Sequence, residues 1–263
     1  MIPKTIHYIW FGGNPLGEKE EKCLASWGKY LPDYKIIRWD ETNFDVTSNR
    51  YCLEAYQAKK WAFVSDYVRL WVLVNYGGIY MDTDVEVLSS LDSFLDNRAF
   101  SGFETPKSIP TGIMASERGF ALFKVLLDDY ENRSFILPNG DMDLTTNVEA
   151  ITRLCLQRGL KLNNMPQTID GFSLYPKEVF CPKSYQTGEI EITENTVTIH
   201  HFSGTWKSDM EKEMLAIQQN ILKKMPFLKP IIAGHIAKIT YCIRSRDFSI
   251  IKKDVKRKLN LFK

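Results

Sequence analysis

The sequence predicts an α/β protein with a mostly parallel central sheet, and three observations carry that expectation. Helical and extended patterns alternate through the first hundred residues, as parallel sheets with crossover helices require. Residues 61–76, WAFVSDYVRLWVLVNY, are apolar nearly all round, so this helix is buried on most sides. It stops at Gly77-Gly78 and leads into Ile79-Tyr80-Met81, an apolar strand that ends on Asp82-Thr83-Asp84.

The elements follow in order. Over 4–11, Ile6, Tyr8 and Trp10 fall on one side and His7, Ile9 and Phe11 on the other, a strand closed by Gly12-Gly13. Residues 18–31 read as an amphipathic helix ended by Pro32, 34–39 as a second strand and 50–60 as a further helix. After the buried helix, 79–87 reads as a strand running into a loop. Strands are expected at 98–103 and 109–115, helices at 119–130 and 146–157, and a late strand at 196–202.

Composition excludes several classes. The five cysteines are scattered with no CxxC pair, which suggests neither a zinc cluster nor a disulfide framework. No apolar run reaches 18 residues, so a cytosolic protein, or one attached only at a membrane surface, is expected. From Lys223 onward there are twelve basic residues against two acidic ones, while the preceding part is net negative. That asymmetry divides the chain into a catalytic domain, 1–222, and a basic helical tail, 223–263. In the tail, apolar residues recur at helical spacing between the basic ones. It could lie on an anionic membrane surface or cap the catalytic domain. Nothing resembles a base-reading module, so no nucleic-acid partner is expected.

The chemistry centres on the acidic triplet. Alternate strand residues share a face, so Tyr80, Asp82 and Asp84 are expected to project together. Two carboxylates at the end of a buried strand can hold a hard divalent cation and leave coordination positions for phosphate oxygens. Phosphatases of the haloacid-dehalogenase type use a similar Asp-x-Asp, but here the fifth position is Glu86 and the motif lies deep in the chain. That reading is the runner-up; a non-catalytic sugar-nucleotide or membrane-binding protein is the third. Asp66 and Arg69, three apart on a helix with almost no exposed face, form a charged pair that needs partners, and a ligand is a reasonable one. Adjacent His200 and His201 point to opposite faces, so at most one can join a given metal. Trp206 is either core or a lid, and spacing does not choose.

These residues carry a resemblance. The start IPKTIHYIWFGG, the run Ser65-Asp66-Tyr67-Val68-Arg69, and the stretch from Gly77 to Asp84 resemble glycosyltransferase family 32, the DXD sugar-binding group. That group is similar to yeast mannosyltransferases and, more distantly, to the glucosylating domains of large clostridial toxins. His200-His201-Phe202 and Trp206 resemble its closing segment, although Thr205 stands where the family usually has Ser. The resemblance implies a GT-A-type, Rossmann-like nucleotide-sugar-binding domain, a retaining transfer, and Mn²⁺ or Mg²⁺. It implies that Trp10 stacks on the nucleotide base and that Asp66 and Arg69 hold the donor sugar and its phosphate side. Tyr80 and Asp82 would contact the donor, Asp84 would ligate the metal and Trp206 would close over the diphosphate. His201, opening a His-Phe-x-Gly segment, is expected as the third metal ligand beside Asp82 and Asp84, and Asn147 as a further donor contact. Arg69, Asp82 and Asp84 would carry the catalysis. The expected donor is a nucleotide-diphosphate sugar, UDP-linked, carrying a hexose or N-acetylhexosamine. The expected acceptor is a glycan or lipid-linked oligosaccharide of a bacterial capsule or surface polysaccharide.

Overall fold

The computed structural model describes residues 1–249 except Thr111 and Trp206. The chain forms two compact units, one of residues 1–183 with 191–203, the other of 184–190 with the chain from 204 on.

The first unit is a seven-stranded sheet with helices on both faces. In chain order it contains β1 (Thr5–Ile9), α1 (Glu18–Tyr30), β2 (Lys35–Trp39), α2 (Arg50–Gln57), α3 (Trp61–Tyr76) and β3 (Gly78–Met81). Then follow β4 (Val85–Val87), β5 (Ala99–Gly102), β6 (Ile113–Ser116), α4 (Ala121–Asp129) and α5 (Asn147–Gln157). The unit ends with β7 (Gln167–Ile169), β8 (Phe172–Tyr175), α6 (Lys177–Phe180) and β9 (Thr198–His200). The strand order is β2-β1-β3-β6-β5-β8-β7. β1, β2, β3, β5 and β8 run one way and β6 and β7 the other, so the sheet is mostly parallel, as expected. β4 and β9 pair separately as an antiparallel ribbon.

The pleat of β3 sorts side chains between two cores. Tyr80 joins Val64, Val68 and Leu73 of α3 and the buried side chains of α2, α4 and α5 in one. Ile79 and Met81 join Trp27 of α1, Val85, Val87 and Phe180 in the other. Glycine is required where α3 turns into β3. Gly77 has φ 68° and a Cβ there would lie 2.7 Å from the Arg118 nitrogen. Gly78 has φ 98° and its Cβ would lie 2.6 Å from the Thr5 carbonyl oxygen.

His7, fully buried on β1, locks this corner. Its Nε2–H donates to the Gly77 carbonyl at 2.9 Å, and Nδ1 accepts from the Trp39 indole at 3.0 Å. Both partners are satisfied only by a neutral imidazole with its proton on Nε2. Burial depresses its pKa to about 4, only partly countered by the Gly77 carbonyl. A depressed folded-state pKa stabilises the protein fully above the unfolded value near 6.5, and that stability is lost as pH falls towards 4. The expected loss is about 3 kcal/mol. Chemical denaturation at about pH 7.5 and pH 4.5 should therefore show a steeper acid loss for the wild type than for His7→Gln; equal slopes would contradict the assignment.

The second unit contains α7 (Asp209–Lys224) and α8 (Pro230–Ser245), packed against each other. Ser208 opens α7 with a capping box, its hydroxyl accepting from the Glu211 amide at 3.3 Å and its amide donating to the Glu211 carboxylate at 2.9 Å. The boundary expected at 222/223 falls inside α7, because the onset of positive charge is not where compactness divides the chain. The expected helical tail is present as far as Ser245; its extension through 250–263 lies outside the described residues. Among the described residues, no helix is long and apolar enough to cross a membrane.

Candidate active site

The acidic triplet sits where β3 ends. The strand stops at Met81, and the Val85 amide donates back to the Asp82 carbonyl at 3.0 Å, closing a turn over Asp82–Val85. Strand alternation therefore accounts for Tyr80 and Asp82, whose side chains meet at 2.5 Å, phenol to carboxylate. Asp84 reaches the same place through the turn. It is buried, and one of its oxygens accepts from the Ser203 amide at 2.6 Å.

The β4–β9 ribbon supplies the third group, and it is His200 rather than His201. Val85 pairs with His200, and the His200 Nε2 lies 3.5 Å from Asp84 Oδ1 and 3.7 Å from Asp82 Oδ2. His201, one residue on, faces the other way, its Nε2 2.8 Å from Glu86 Oε2. Glu86 pairs with Ile199, so Glu86, Ile199 and His201 share the opposite face of the ribbon. The expected placement of His201 in the metal set is thus corrected by register.

The donor set suits a divalent cation. Among the described residues, Asp82, Asp84 and His200 offer ligand atoms that all lie within 4.8 Å of one another. Ligands about 2.1 Å from an octahedral cation stand roughly 3 Å apart, so a small contraction closes the site. Gly112 provides the room: a Cβ there would lie 3.0 Å from Asp82 Oδ2, from the His200 ring and from Val85. Two carboxylates and an imidazole match Mn²⁺ or Mg²⁺, the imidazole favouring the softer Mn²⁺. Burial disfavours charge on both Asp84 and His200, yet each overrides it in the other. Asp84 is held well below the usual carboxylate range by His200 and the Ser203 amide, and His200 is held well above its ordinary value, chiefly by Asp84. A cation must displace that imidazolium proton.

Asp66 and Arg69 lie against this cluster. Arg69 Nη2 stands 3.2 Å from Asp66 Oδ1 and 3.5 Å from Asp82 Oδ1, with its guanidinium 4.5 Å from the centre of the Tyr80 ring. Burial raises the Asp66 pKa, opposed by Arg69 and by the Asn147 amide. Burial also disfavours the charge on Arg69, but Tyr80, Asp82 and Asp66 outweigh it and keep the guanidinium charged.

Asn147, expected as a donor contact, stands behind Asp66. It is 1 % exposed. Its backbone amide donates to Asp66 Oδ2 at 3.0 Å, its side-chain amide to the Asp66 carbonyl at 2.5 Å, and it accepts from the Tyr130 hydroxyl at 2.9 Å. With those groups engaged, it positions Asp66. Trp10 lies one residue past β1, half-buried, its indole N–H donating to the Asn14 carbonyl at 2.7 Å. Trp206 lies outside the described residues. The sequence alone does not single out Gly112 or the Ser203 amide, which no residue-type signal marks.

Comparison with known proteins bears on this site. Residues 17–101 match the family described as the glycosyltransferase sugar-binding region containing a DXD motif. The chain is 31% identical over 122 residues to inositol phosphoceramide mannosyltransferase 3 of Schizosaccharomyces pombe, covering 45% of this chain and 34% of that protein. It is 32% identical over 123 residues to mannosyl phosphorylinositol ceramide synthase SUR1 of Saccharomyces cerevisiae, covering 44% of this chain and 31% of that protein. The chain thus spans about a third of the length of these two relatives. Among solved structures, the PaToxG glycosyltransferase is similar at 16% identity and a TM-score of 0.44, over 59% of this chain and 69% of its own. The galactosyltransferase LgtC is similar at 14% identity and a TM-score of 0.40, over 84% of this chain and 95% of its own. The segment that matches the DXD-containing sugar-binding region of glycosyltransferases carries Asp66, Arg69, Asp82 and Asp84, four residues of the site described above.

Proposed function

We propose that the protein is a retaining glycosyltransferase that moves a hexose or N-acetylhexosamine from a nucleotide-diphosphate sugar to a glycan or lipid-linked acceptor. The observation that carries this reading is the convergence of Asp82, Asp84 and His200 on one point, with the Asp66–Arg69 pair alongside. A divalent cation held by the three would supply positive charge against a leaving diphosphate. Arg69, fixed between Asp66 and Asp82, adds a guanidinium aimed at the same developing charge. Stabilising such charge usually contributes more to transfers of this kind than any other single effect. Trp10 offers a half-open ring for stacking on the base. The path that goes with this reading is front-face attack by the acceptor hydroxyl, with the leaving-group oxygen as base.

The donor we propose is a UDP-sugar and the setting a bacterial capsule or surface polysaccharide, with the enzyme in the cytosol at the inner face of the membrane. The relatives are named for mannosyl transfer to an inositol phosphoceramide, so a mannosyl donor belongs in any test. Attachment to an anionic membrane surface is supported by α8. There Ile232, Ile236, Ile239 and Ile243 form one exposed apolar stripe, while Ala233 and Ala237 are buried on another face and Lys229 and Arg244 stand at the helix ends. Co-sedimentation with anionic vesicles, weakened by salt, checks that part; a protein left in the supernatant at low salt refutes it.

A panel of UDP- and GDP-sugars with Mn²⁺, followed by slow donor hydrolysis, tests the main reading. One preferred donor should release its nucleoside diphosphate, and NMR of the transfer product should show an α-glycoside from an α-linked donor. Release of orthophosphate from simple phosphate esters, with no nucleoside diphosphate from any donor, would establish the phosphohydrolase alternative instead.

A further inference from the structure

We infer that Glu104 is a positioning residue for the metal site, acting through His200. The inference rests on the reading of Asp82, Asp84 and His200 as cation ligands. In that set His200 uses Nε2, the nitrogen turned towards both aspartates at 3.5 and 3.7 Å. An imidazole that gives one nitrogen to a cation keeps its proton on the other, so Nδ1–H must be a donor. His200 is buried, and Nδ1 has no hydrogen bond within normal limits among the described residues. A buried N–H without an acceptor is costly, and the cost would fall on the metal-bound state.

Among the described residues, a carboxylate and a thiol lie near the His200 ring. Glu104 Oε1 stands 3.5 Å from Nδ1 on a side chain 17 % exposed, just beyond the end of β5. The Cys181 thiol is also close, but sulfur is a weak acceptor. The carboxylate is the stronger partner, and a shift of about 0.5 Å completes the bond. Glu104 is itself placed by the chain: its amide donates to the Ser108 carbonyl at 3.0 Å, closing a tight loop after β5. The Phe202 ring covers the imidazole, centroids 4.2 Å apart, and limits its tilt. Glu104 therefore fixes the tautomer of His200, aims Nε2 at the aspartates and makes it a better ligand. It does so from behind the imidazole, with the ring between it and the cation site.

The test measures Mn²⁺ affinity in the presence of UDP, by electron paramagnetic resonance of free Mn²⁺, for the full chain and for Glu104→Leu and Glu104→Gln. Losing the acceptor should weaken Mn²⁺ binding roughly 10- to 100-fold in Glu104→Leu, with Glu104→Gln, which keeps an acceptor oxygen, in between. At saturating Mn²⁺, kcat for donor hydrolysis should stay within a few-fold of wild type in both. Unchanged Mn²⁺ affinity in folded Glu104→Leu overturns the inference, as does a lost kcat with intact affinity, which would place Glu104 on the substrate. If the wild type binds no Mn²⁺, the metal reading falls and this one with it. A measurement on the wild type needs no variant to fold. With Cd²⁺ as a diamagnetic stand-in, histidine ¹H–¹⁵N spectra should show His200 protonated at Nδ1 in a hydrogen bond; an unprotonated Nδ1 overturns the inference.

Discussion

Asp84→Asn and Asp84→Ala should both lose Mn²⁺-dependent binding of nucleoside diphosphate and bring transfer down by about 10³-fold or more, roughly 4 kcal/mol of transition-state stabilisation. Asp84 is the carboxylate most committed to the site: it is buried, held anionic by His200 and the Ser203 amide, and 3.5 Å from His200 Nε2. Asparagine keeps an oxygen for the Ser203 amide and fills the same space, so the fold should survive while the cation loses a charged ligand. Calorimetry with UDP and Mn²⁺, alongside thermal melting, separates the two effects. Undiminished Mn²⁺-dependent UDP binding by folded Asp84→Asn would remove Asp84 from the metal set. The equivalent change at His201 should leave binding close to wild type, since its ring pairs with Glu86 on the other face of the ribbon.

The parts of this molecule that can be read from the chain are those where local physics is emphatic. α3 is legible to the residue because almost every position is apolar, and Gly77-Gly78 ends it in a conformation other residues cannot adopt. Asp66 and Arg69 stand out because a charged pair on such a helix needs a reason. The hairpin of β7 and β8 escapes a reading by pattern, yet Asp170 and Gly171 at its tip, with φ 51° and 87°, are the Asp-Gly pair that favours a two-residue turn. Its strands are too short for alternation to register. The choice between His200 and His201 is not local at all. It depends on whether Val85 or Glu86 pairs with His200, a register set across more than a hundred residues of chain. The same holds for Gly112 and Glu104, whose roles exist only once β5, β6 and β9 are assembled. The domain boundary misleads for another reason: charge begins to accumulate within α7, whereas the break in packing precedes it.

Arg69→Met should cost about 3–5 kcal/mol of folding stability and lower donor hydrolysis by about 10²–10³-fold. The stability loss follows from what the guanidinium leaves behind. Asp66 is buried, its pKa already raised by burial, and Arg69 is the main charge that opposes that shift. Without Arg69 the Asn147 amide is the principal remaining support for a buried carboxylate, and Asp66 will take up a proton on folding. A folded-state pKa raised above the unfolded value lowers stability as pH rises through it. The deficit of the variant should therefore be larger at about pH 8 than at about pH 5, and urea titrations at the two values will show it. Asp66→Asn combined with Arg69→Met removes both charges and should recover most of the stability, because the pair then no longer strands a carboxylate. Activity should not recover, since the charge that faces the leaving diphosphate is still missing. A double variant that regains stability and remains inactive places the pair in the chemistry as well as in the fold. One that regains both would reduce the pair to an ion pair that happens to be buried beside the site.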